Sequence, residues 1–299
     1  MLNGRVHHIP VMVREVIEFL ACRPEGIYVD CTVGEGGHDD EILKASGPDG
    51  RLIGIDRDLG SIEQSRHRLA VSGDRVSLHH ENFFRIDSVL EKEGIQKADG
   101  ILFDLGLSSA QLEDGQRGFS FMKDGPLDMR MDQKEGRTAA DLVNTLHEAE
   151  LARIFREYGE ERWAGKISHV IVRRRSERRI SNTADLSKLV LQAIPRRYHG
   201  HRIHPATRIF QALRIAVNHE LSDLRLAMGA SVRCLSSGGR LCILSYHSLE
   251  DRIVKFGYRD LEKEGQLKVI TRRPVVASAT ERSLNPRCRS AKLRAAERC

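Results

Sequence analysis

Short apolar segments alternate with amphipathic segments along the first 105 residues. Continuous apolar runs predict buried strands over residues 26–31, 51–55, 76–78 and 98–104. Apolar residues at helical spacing predict helices between them, over residues 37–45, 59–69 and 86–93. Pro10 suits the first turn of an earlier helix, whose apolar positions are Val13, Ile17 and Leu20. This alternation is typical of right-handed βαβ units and predicts a parallel sheet in an α/β fold.

The alternation stops after Leu105, and a helical pattern replaces it. Helices are predicted over residues 139–142, 148–158, 162–175 and 185–193, with Ser181-Asn-Thr183 as a cap between the last two. Beyond a break from Pro195 to Pro205, one long helix is predicted from about Ala206 to Leu235, and an apolar strand follows at 240–245. The pattern therefore predicts one α/β domain formed by residues 1–124 and 204–299, with an all-helical domain inserted at 125–203.

The composition fits a globular chain rather than a membrane or secreted protein. Of the 299 residues, 40% are hydrophobic, but no apolar run reaches the roughly 18 residues of a transmembrane helix. Residues 1–8 lack the apolar core of a signal peptide. The six cysteines form no CxxC pair, which favours reduced thiols over disulfides or zinc. We therefore expect a cytoplasmic protein that has no membrane partner.

Positive charge is concentrated in two segments. The formal net charge is +6, but residues 151–214 contain 15 Lys and Arg against 5 Asp and Glu, and residues 267–299 contain 9 against 2. Such asymmetry is typical of surfaces that contact a polyanion, and a solvated helix face explains it equally well. Candidate phosphate contacts are the arginines at 173–175 and 178–179, and a basic C-terminal tail through Arg287, Arg289, Lys292, Arg294 and Arg298. Because few aromatic residues are interleaved, we expect mainly electrostatic contacts.

A glycine loop joins the first predicted strand to the helix at 37–45. The segment Tyr28–His38 has glycines at 34, 36 and 37, which permit a tight turn and a close backbone approach to a ligand. The helix that follows would direct its free N–H groups at that ligand. Asp56 ends the next strand, where a carboxylate can accept hydrogen bonds from a ribose diol or cap a helix. These features predict a nucleotide-type cofactor pocket at the carboxyl ends of the strands.

The loop favours S-adenosylmethionine over a dinucleotide. Glu35 would repel phosphates but tolerate a sulfonium, and the glycine spacing is not GxGxxG. The segment Ile101–Ser109 places Asp104, Ser108 and Ser109 after the fourth strand, where they would face the cofactor. Hydrogen-bond acceptors at this position would suit a substrate whose amino group is methylated. A NAD-dependent oxidoreductase is the weaker alternative.

Several longer motifs resemble those of one known family. They include Asp30–His38, Ile55–Asp58, Asp104–Ser109, Arg117–Met122, Tyr158–Arg162, His204–Arg214, Ser245–Arg252 and the highly specific Gly-Pro-Leu-Asp-Met-Arg-Met-Asp at 125–132. Over essentially its whole length, the chain resembles the RsmH/MraW family of bacterial 16S rRNA (cytosine-N4) methyltransferases. It departs from the family pattern at Asp39, where Ser is usual, at Ile209, where Thr or Val is usual, and at Cys288, where a small residue is usual.

The resemblance implies a Rossmann-like class I methyltransferase domain that uses S-adenosylmethionine and no metal. The implied cofactor contacts are Gly36, Gly37, His38, Asp56, Phe83, Asp104 and Gln111. The implied substrate is a cytidine, usually numbered 1402, in the decoding region of 16S rRNA within an assembled or nearly assembled 30S subunit. Phe83 would cover the adenine, although core packing is the commoner role of such a residue.

Asp104 and Ser108 are the candidate catalytic residues. Cytosine N4 is a poor nucleophile because its lone pair is delocalised into the ring, so acceptors that hold its N–H bonds would assist methyl transfer. We expect Asp104 to orient this amine, with help from Ser108 or a backbone carbonyl; alternatively, Asp104 contacts only the cofactor. The loop 116–132, with its Phe119, Phe121, Met129 and Met131, is either a lid over a flipped base or a loop that packs the two domains together.

The histidines beyond the glycine loop have more than one interpretation. His247, after the later strand, could contact RNA, relay a proton or be structural. His199, His201 and His204 favour an RNA-contacting loop over a metal site, because no acidic or thiol partner accompanies them. A non-catalytic RNA-binding or ribosome-assembly protein that keeps the pocket is a further alternative function. The sequence leaves the oligomeric state open, with a homodimer as one option.

Overall fold

The computed structural model describes residues 10–199 and 204–299. The chain forms two compact units, each with its own hydrophobic core. One unit contains the residues up to Gly106 together with Leu221–Cys299, and the other contains Leu107–Glu220. All six cysteines are free thiols, as the sequence predicts.

A seven-stranded sheet forms the centre of the first unit. Its strands are β1 (Ile27–Asp30), β2 (Arg51–Asp56), β3 (Val76–His80), β4 (Ala98–Asp104), β5 (Leu235–Ser245), β6 (Leu267–Val269) and β7 (Lys292–Arg298). Their order is β3-β2-β1-β4-β5-β7-β6, with β1 to β5 parallel and β7 antiparallel to both of its neighbours. The order reverses between β1 and β4, as in doubly wound nucleotide-binding sheets. The predicted Rossmann-like α/β fold is therefore confirmed.

Helices are found in both units. They are α1 (Val13–Leu20), α2 (Gly37–Ala45), α3 (Leu59–Leu69), α4 (Ile86–Lys92), α5 (Ser109–Glu113), α6 (Ala139–Thr145), α7 (Glu148–Glu157), α8 (Ala164–Glu177), α9 (Thr183–Ala193), α10 (Ala206–Asn218), α11 (Glu220–Cys234), α12 (Ser248–Lys263) and α13 (Ala279–Leu284). Asn182 caps α9 by accepting from the Asp185 N–H at 2.8 Å, which confirms the predicted cap. In the part of the chain that the structure describes, no helix is long and apolar enough to cross a bilayer.

The central strands are apolar on both faces because helices cover both sides of the sheet. In β4, Ile101 and Phe103 join one hydrophobic cluster, whereas Leu102 between them joins the cluster on the opposite face. All three side chains are fully buried. Continuous apolar runs of this kind are typical of parallel strands that are buried on both faces, which is why the sequence indicates them clearly.

Two helix boundaries differ from the prediction. Pro10 is not in the first turn of α1, because Met12 has a left-handed backbone (φ 52°) and the helix begins at Val13. The long helix predicted over 206–235 is broken at His219, which has φ 54° and separates α10 from α11. The Asn218 amide at this break donates to the Met129 carbonyl at 2.7 Å and accepts from the Met131 N–H at 2.8 Å. These contacts fix a turn that local helix propensity does not indicate.

The prediction of a basic C-terminal tail is wrong for Lys292, Arg294 and Arg298, because these three cations belong to strand β7. This strand lies inside the sheet, between β5 and β6. Asp251 of α12 accepts from Lys292 at 2.9 Å and from Arg294 at 2.7 Å, so one carboxylate neutralises part of the local charge. Arg298 donates to the Gln266 carbonyl. The strand can be basic because α12 supplies the carboxylate.

Candidate active site

The loop after β1 depends on two glycines with left-handed backbones. Gly34 has φ 54° and Gly36 has φ 76°, conformations that L-residues rarely adopt. Gly36 is the residue before α2, so the first N–H groups of that helix follow the turn directly. At Gly37, a Cβ would lie 3.1 Å from the Pro10 ring, so that position also favours glycine. The loop therefore has the conformation that the predicted ligand-binding turn requires.

Asp56, at the end of β2, holds this loop in place. Its Oδ2 accepts from the Gly34 N–H at 2.9 Å, and its Oδ1 accepts from the Asp58 N–H at 2.8 Å. Asp58, rather than Asp56, caps α3 by accepting from the Gly60 N–H. Because a carboxylate has about four acceptor positions, Asp56 retains capacity for the two hydroxyls of a ribose. The capping interpretation of Asp56 is thus wrong.

Thr32 links the carboxylates at the ends of β1 and β4. Its hydroxyl lies 3.2 Å from Asp30 Oδ1, to which it donates, and it accepts from the Asp104 N–H at 2.6 Å. The Thr32 N–H donates to the same Asp30 oxygen at 2.8 Å. These bonds fix Asp30 and the backbone of Asp104 on neighbouring strands. A negatively charged end of the sheet results, as the sequence predicts from Asp56 and Asp104.

Asp104 is held at one carboxylate oxygen, to which the Tyr246 hydroxyl donates at 2.6 Å. Burial, and then the charge of Asp104, raise the pKa of Tyr246 well above its ordinary value, so the phenol stays protonated and donates. The His38 ring is buried, and its Nε2 donates to the Val11 carbonyl at 2.8 Å. His38 Nδ1 lies 3.5 Å from Asp104 Oδ2 and carries a hydrogen for it only when the ring is protonated on both nitrogens. The hydrogen bond from Tyr246 therefore orients the Asp104 carboxylate.

Asp39 is a buried acid in the first turn of α2. No donor among the described residues reaches its carboxyl oxygens. Burial, and then the charges of Asp30 and Asp40, raise its pKa well above the ordinary value, which favours a neutral acid that can donate to Asp30.

Phe83 lies in the turn after β3. Its ring meets the Phe103 ring edge-on, with centroids 5.6 Å apart, and the side chain is only partly buried. Asn82, just before it, donates to Asp223 at 2.8 Å and accepts from the Phe84 N–H, which fixes the turn. Phe83 thus packs on the core at one edge and leaves part of its surface exposed. Both the packing role and the predicted adenine contact are compatible with this position.

Ser108 and Gln111 lie in the second unit, where they form a capping box on α5. The Ser108 hydroxyl accepts from the Gln111 N–H at 3.2 Å, and the Gln111 side chain accepts from the Ser108 N–H at 3.1 Å. Both side chains therefore have a structural role at the start of this helix. Their predicted contacts with substrate and cofactor stay predictions.

The loop 116–132 packs into the core of the helical unit. Phe119 and Met129 are buried there, so neither side chain is exposed to contact a flipped base, as the lid alternative would require. Arg117 holds the loop by donating to the Arg130 and Met131 carbonyls at 3.0 and 2.9 Å. Phe121 stacks on His204 with centroids 4.6 Å apart.

The remaining histidines have structural contacts. His247 caps α12 by accepting from the Glu250 N–H, with Glu250 completing the capping box. His199 donates to the Ile194 carbonyl at 2.8 Å. His201 lies outside the described residues. The structure thus supports the structural interpretation of His247.

Cations and aromatic rings alternate on the surface of the helical unit, contrary to the expectation of few aromatic residues. The Arg162 guanidinium lies 4.0 Å from the Tyr198 ring centroid and 5.3 Å from that of Trp163. Lys166 lies 4.8 Å from the Trp163 ring, and Arg197 lies 5.0 Å from the Tyr198 ring. The rings come from segments about 35 residues apart, so only the fold brings them together.

Sequence reasoning missed two partners in this site. Tyr246 is not among the candidate residues predicted from the sequence, although it is the donor to Asp104. Asp39 is not among them either, although it is buried against Asp30. For Tyr246, the available signal was its position directly after β5, the strand that pairs with β4.

The acidity of this site predicts a pH dependence. Burial raises the pKa of Asp30 and of Asp56 to about 6, with backbone N–H donors opposing the shift in both. A positively charged ligand stabilises the ionised carboxylates and so lowers their pKa. We therefore expect the affinity for S-adenosylmethionine to rise as pH increases from about 5 to about 7, by up to tenfold per unit per group, and then to level off. Calorimetric titration across this range measures it.

The variant Asp39→Ser provides the control for this assignment. A neutral Asp39 that donates to Asp30 stabilises the ionised Asp30 carboxylate, and the shorter serine removes this donor. We expect the midpoint of the pH profile to move to higher pH. An unchanged or lower midpoint would show that Asp39 does not act as a donor to Asp30.

Comparisons with known proteins agree with the sequence motifs. The model of the MraW methylase family matches residues 5–299. A ribosomal RNA small subunit methyltransferase H from Geotalea uraniireducens is 52% identical, covering 98% of this chain and 98% of its own. The protein of the same name from Symbiobacterium thermophilum is 49% identical, covering 97% of this chain and 96% of its own.

Solved structures resemble the fold more weakly. An rRNA methylase from Streptococcus thermophilus is 12% identical, with a TM-score of 0.46, and the match covers 97% of this chain and 98% of that one. The classification of the chain rests on the sequence matches.

Proposed function

This chain belongs to the MraW methylase family, and from that premise we propose that it methylates N4 of a cytidine, usually numbered 1402, in the 16S rRNA of the small ribosomal subunit. Family membership makes the chain a methyltransferase that depends on S-adenosylmethionine. The rRNA substrate is proposed from the relatives, which are named as ribosomal RNA small subunit methyltransferases. The cytoplasm is the proposed location, where such a subunit is found.

The arrangement around Asp104 is the observation that best supports transfer to an amine. A carboxylate that is oriented by the Tyr246 hydroxyl can accept N–H bonds without reorganisation. The surrounding carboxylates Asp30 and Asp56 favour a cationic cofactor over a pyrophosphate. The residues present therefore fit S-adenosylmethionine better than NAD.

Each residue of the site has a proposed role. Asp56 would accept the ribose hydroxyls, the turn at Gly36 and Gly37 would approach the amino-acid portion, and His38 would support both the loop and Asp104. Phe83 would cover the adenine, and Gln111 would add a polar contact. When bound, the cofactor supplies a methyl group that is already activated on a sulfonium.

Asp104 would act on the base. It would hold an N–H of the cytosine amine, so that the nitrogen lone pair points at the methyl carbon. Asp104, or water, would take the excess proton that N4 carries once it has gained the methyl group. Ser108 would assist by accepting the second N–H. Because the methyl group is already activated, the site needs no metal for this step.

The helical residues 125–203 are proposed as a substrate-recognition domain. Arg173 and Arg178 are exposed on or beside α8, and neither forms an ion pair within the described ranges. By contrast, Arg175 donates to the Val143 carbonyl at 2.8 Å and is structural. The cluster of Arg162 and Lys166 with Trp163 and Tyr198 adds rings on which unpaired bases could stack.

The double variant Arg173→Ala/Arg178→Ala is expected to bind the 30S subunit more weakly, because two phosphate contacts are lost. The slope of log affinity against log salt should fall by about 1 to 2. Arg153→Ala is the matched control, since this exposed arginine is already paired with Glu157 at 3.0 Å. Equal salt slopes for all three proteins would exclude Arg173 and Arg178 from the RNA interface.

Incorporation of labelled methyl groups tests the proposed function. Unmodified 30S subunits, protein-free 16S rRNA and 30S subunits with uridine at position 1402 are compared as substrates. We expect rapid incorporation into the first and none into the third. If no substrate is methylated while binding to 30S subunits is retained, the alternative of a non-catalytic assembly protein is correct.

A further inference from the structure

A cavity bounded by α12, β6 and β7 lies apart from the glycine loop. Its volume is about 280 Å³, close to the roughly 300 Å³ at which ligand pockets begin. Four cationic side chains and one carboxylate are among its lining residues: Lys255, Arg259, Arg272, Arg294 and Glu262. The excess of positive charge favours an anionic ligand the size of one sugar-phosphate group.

Arg294 presents donors to this cavity. The residue is only 5% exposed, and its Nε donates to Asp251 at 2.7 Å. Among the described residues, no protein acceptor forms a hydrogen bond with either of its Nη atoms. Both atoms are accessible and not fully buried. Because Arg294 lines the cavity, these donors are available to a ligand there. A guanidinium in this state suits bidentate binding of phosphate oxygens.

The carboxylate of the cavity does not cancel its charge. Glu262 accepts from the Val269 N–H at 3.0 Å, and its other oxygen lies 3.4 Å from Arg272. In the described part of the chain, Lys255 and Arg259 form no ion pair. Two cations therefore remain for a ligand.

An exposed aromatic ring lies beside these two cations. Phe256 is 48% exposed, with Lys255 Nζ at 5.5 Å and the Arg259 guanidinium carbon at 5.9 Å from its ring centroid. A ring of this kind is a stacking surface for an unpaired base, and the flanking cations can contact the backbone of the same strand.

We propose that this cavity and Phe256 form a second RNA-binding site, on the methyltransferase unit itself, which takes a backbone phosphate in the cavity and an unpaired base on the ring. The proposal rests on the proposed function, since it assigns a further contact to the same rRNA substrate. α12 begins two residues after Tyr246, and a rise of about 1.5 Å per residue puts Lys255 about 10 Å along the helix. A strand bound here is thus close to the end of the sheet that carries Asp104.

Two variants separate the phosphate contact from the stacking contact. Lys255→Ala/Arg259→Ala should weaken equilibrium binding to unmodified 30S subunits and lower the salt slope by about 1 to 2. Phe256→Leu should weaken binding by about tenfold with the salt slope unchanged, because stacking releases no counterions. Neither should change the affinity for S-adenosylmethionine in calorimetry.

Lys263→Ala/Lys268→Ala is the matched control. It removes the same charge from α12 and β6, two of the elements that bound the cavity, but Lys263 is paired with Asp260. Lys268 lies between Leu267 and Val269 in β6, so its side chain is on the opposite face from that of Val269, which lines the cavity. We expect near wild-type binding. Equal losses for this control and for Lys255→Ala/Arg259→Ala would overturn the proposal.

Binding to protein-free 16S rRNA identifies the occupant. If the two variants lose affinity for 30S subunits but not for the rRNA alone, a ribosomal protein occupies the site and the RNA proposal is wrong. If Phe256→Leu changes only the sedimentation of the free protein, the ring is a contact between two copies and the proposal is again wrong. Because these are binding measurements, they do not depend on whether N4 of cytidine 1402 is the methylated atom.

Discussion

The Asp104→Asn variant is expected to lower kcat by about 100-fold to 1,000-fold, a loss typical of an enzyme that has lost a proton acceptor. The asparagine side chain keeps the size of Asp104 and one acceptor oxygen, but it cannot accept the amine proton. The bond from Tyr246 can still form to that oxygen, so the loop and the cofactor site should be preserved. The affinity for S-adenosylmethionine should therefore change by no more than about fivefold. Single-turnover methylation of 30S subunits, with calorimetry for the cofactor, measures both.

Tyr246→Phe is the comparison variant for Asp104. It removes the 2.6 Å donor while leaving the carboxylate in place. We expect kcat to fall by about tenfold, the cost of losing one charge-assisted hydrogen bond, with little change in KM for the cofactor. If Asp104→Asn methylates at the wild-type rate, Asp104 serves only the cofactor. If it instead loses cofactor affinity and kcat in parallel, orientation of the amine is also excluded as its main role.

The Asp56→Asn variant should weaken S-adenosylmethionine binding by at least about 100-fold. Both carboxylate oxygens already accept a backbone N–H, from Gly34 and Asp58. The amide nitrogen of asparagine cannot accept, so one loop bond and one ribose bond are lost, each worth about 1.5–3 kcal/mol when the acceptor is charged. Titration at pH 8, where Asp56 is ionised because its pKa is about 6, gives the full effect.

Asp58→Asn is a close control for Asp56. Asp58 caps α3, and asparagine caps helices about as well as aspartate, so cofactor affinity should stay near wild type. Thermal unfolding of the variants checks that the loop still folds. Binding within twofold of wild type for Asp56→Asn would mean that the ribose is held elsewhere.

The elements that the sequence predicts well are those with local causes. The strand β4 and the helix α3 have the predicted boundaries, because continuous apolar runs and helical spacing are properties of short segments. The left-handed turn at Gly36 is local too, since glycine is the residue that adopts it at low cost. The carboxyl ends of parallel strands share one edge of the sheet, which is why Asp56 and Asp104 could be assigned to one site.

The parts that the sequence does not predict depend on distant partners. Strand β7 is rich in cations and resembles an exposed tail, because Asp251, which pairs with Lys292 and Arg294, lies about 40 residues earlier. Tyr246 reaches Asp104 across 142 positions. The break before α11 depends on bonds from Asn218 to the loop at Met129, 89 positions away. In each case, a contact formed by the fold overrides the local pattern.

Mass analysis of the nucleosides tests the central claim most directly. Unmodified 30S subunits are incubated with the enzyme and S-adenosylmethionine that carries a labelled methyl group, and the 16S rRNA is then digested to nucleosides. The site around Asp104 predicts a single labelled product, N4-methylcytidine, released from the fragment that contains position 1402. Label in a cytidine methylated on a ring atom, or no label in cytidine at all, would contradict the assignment of Asp104 to the exocyclic amine.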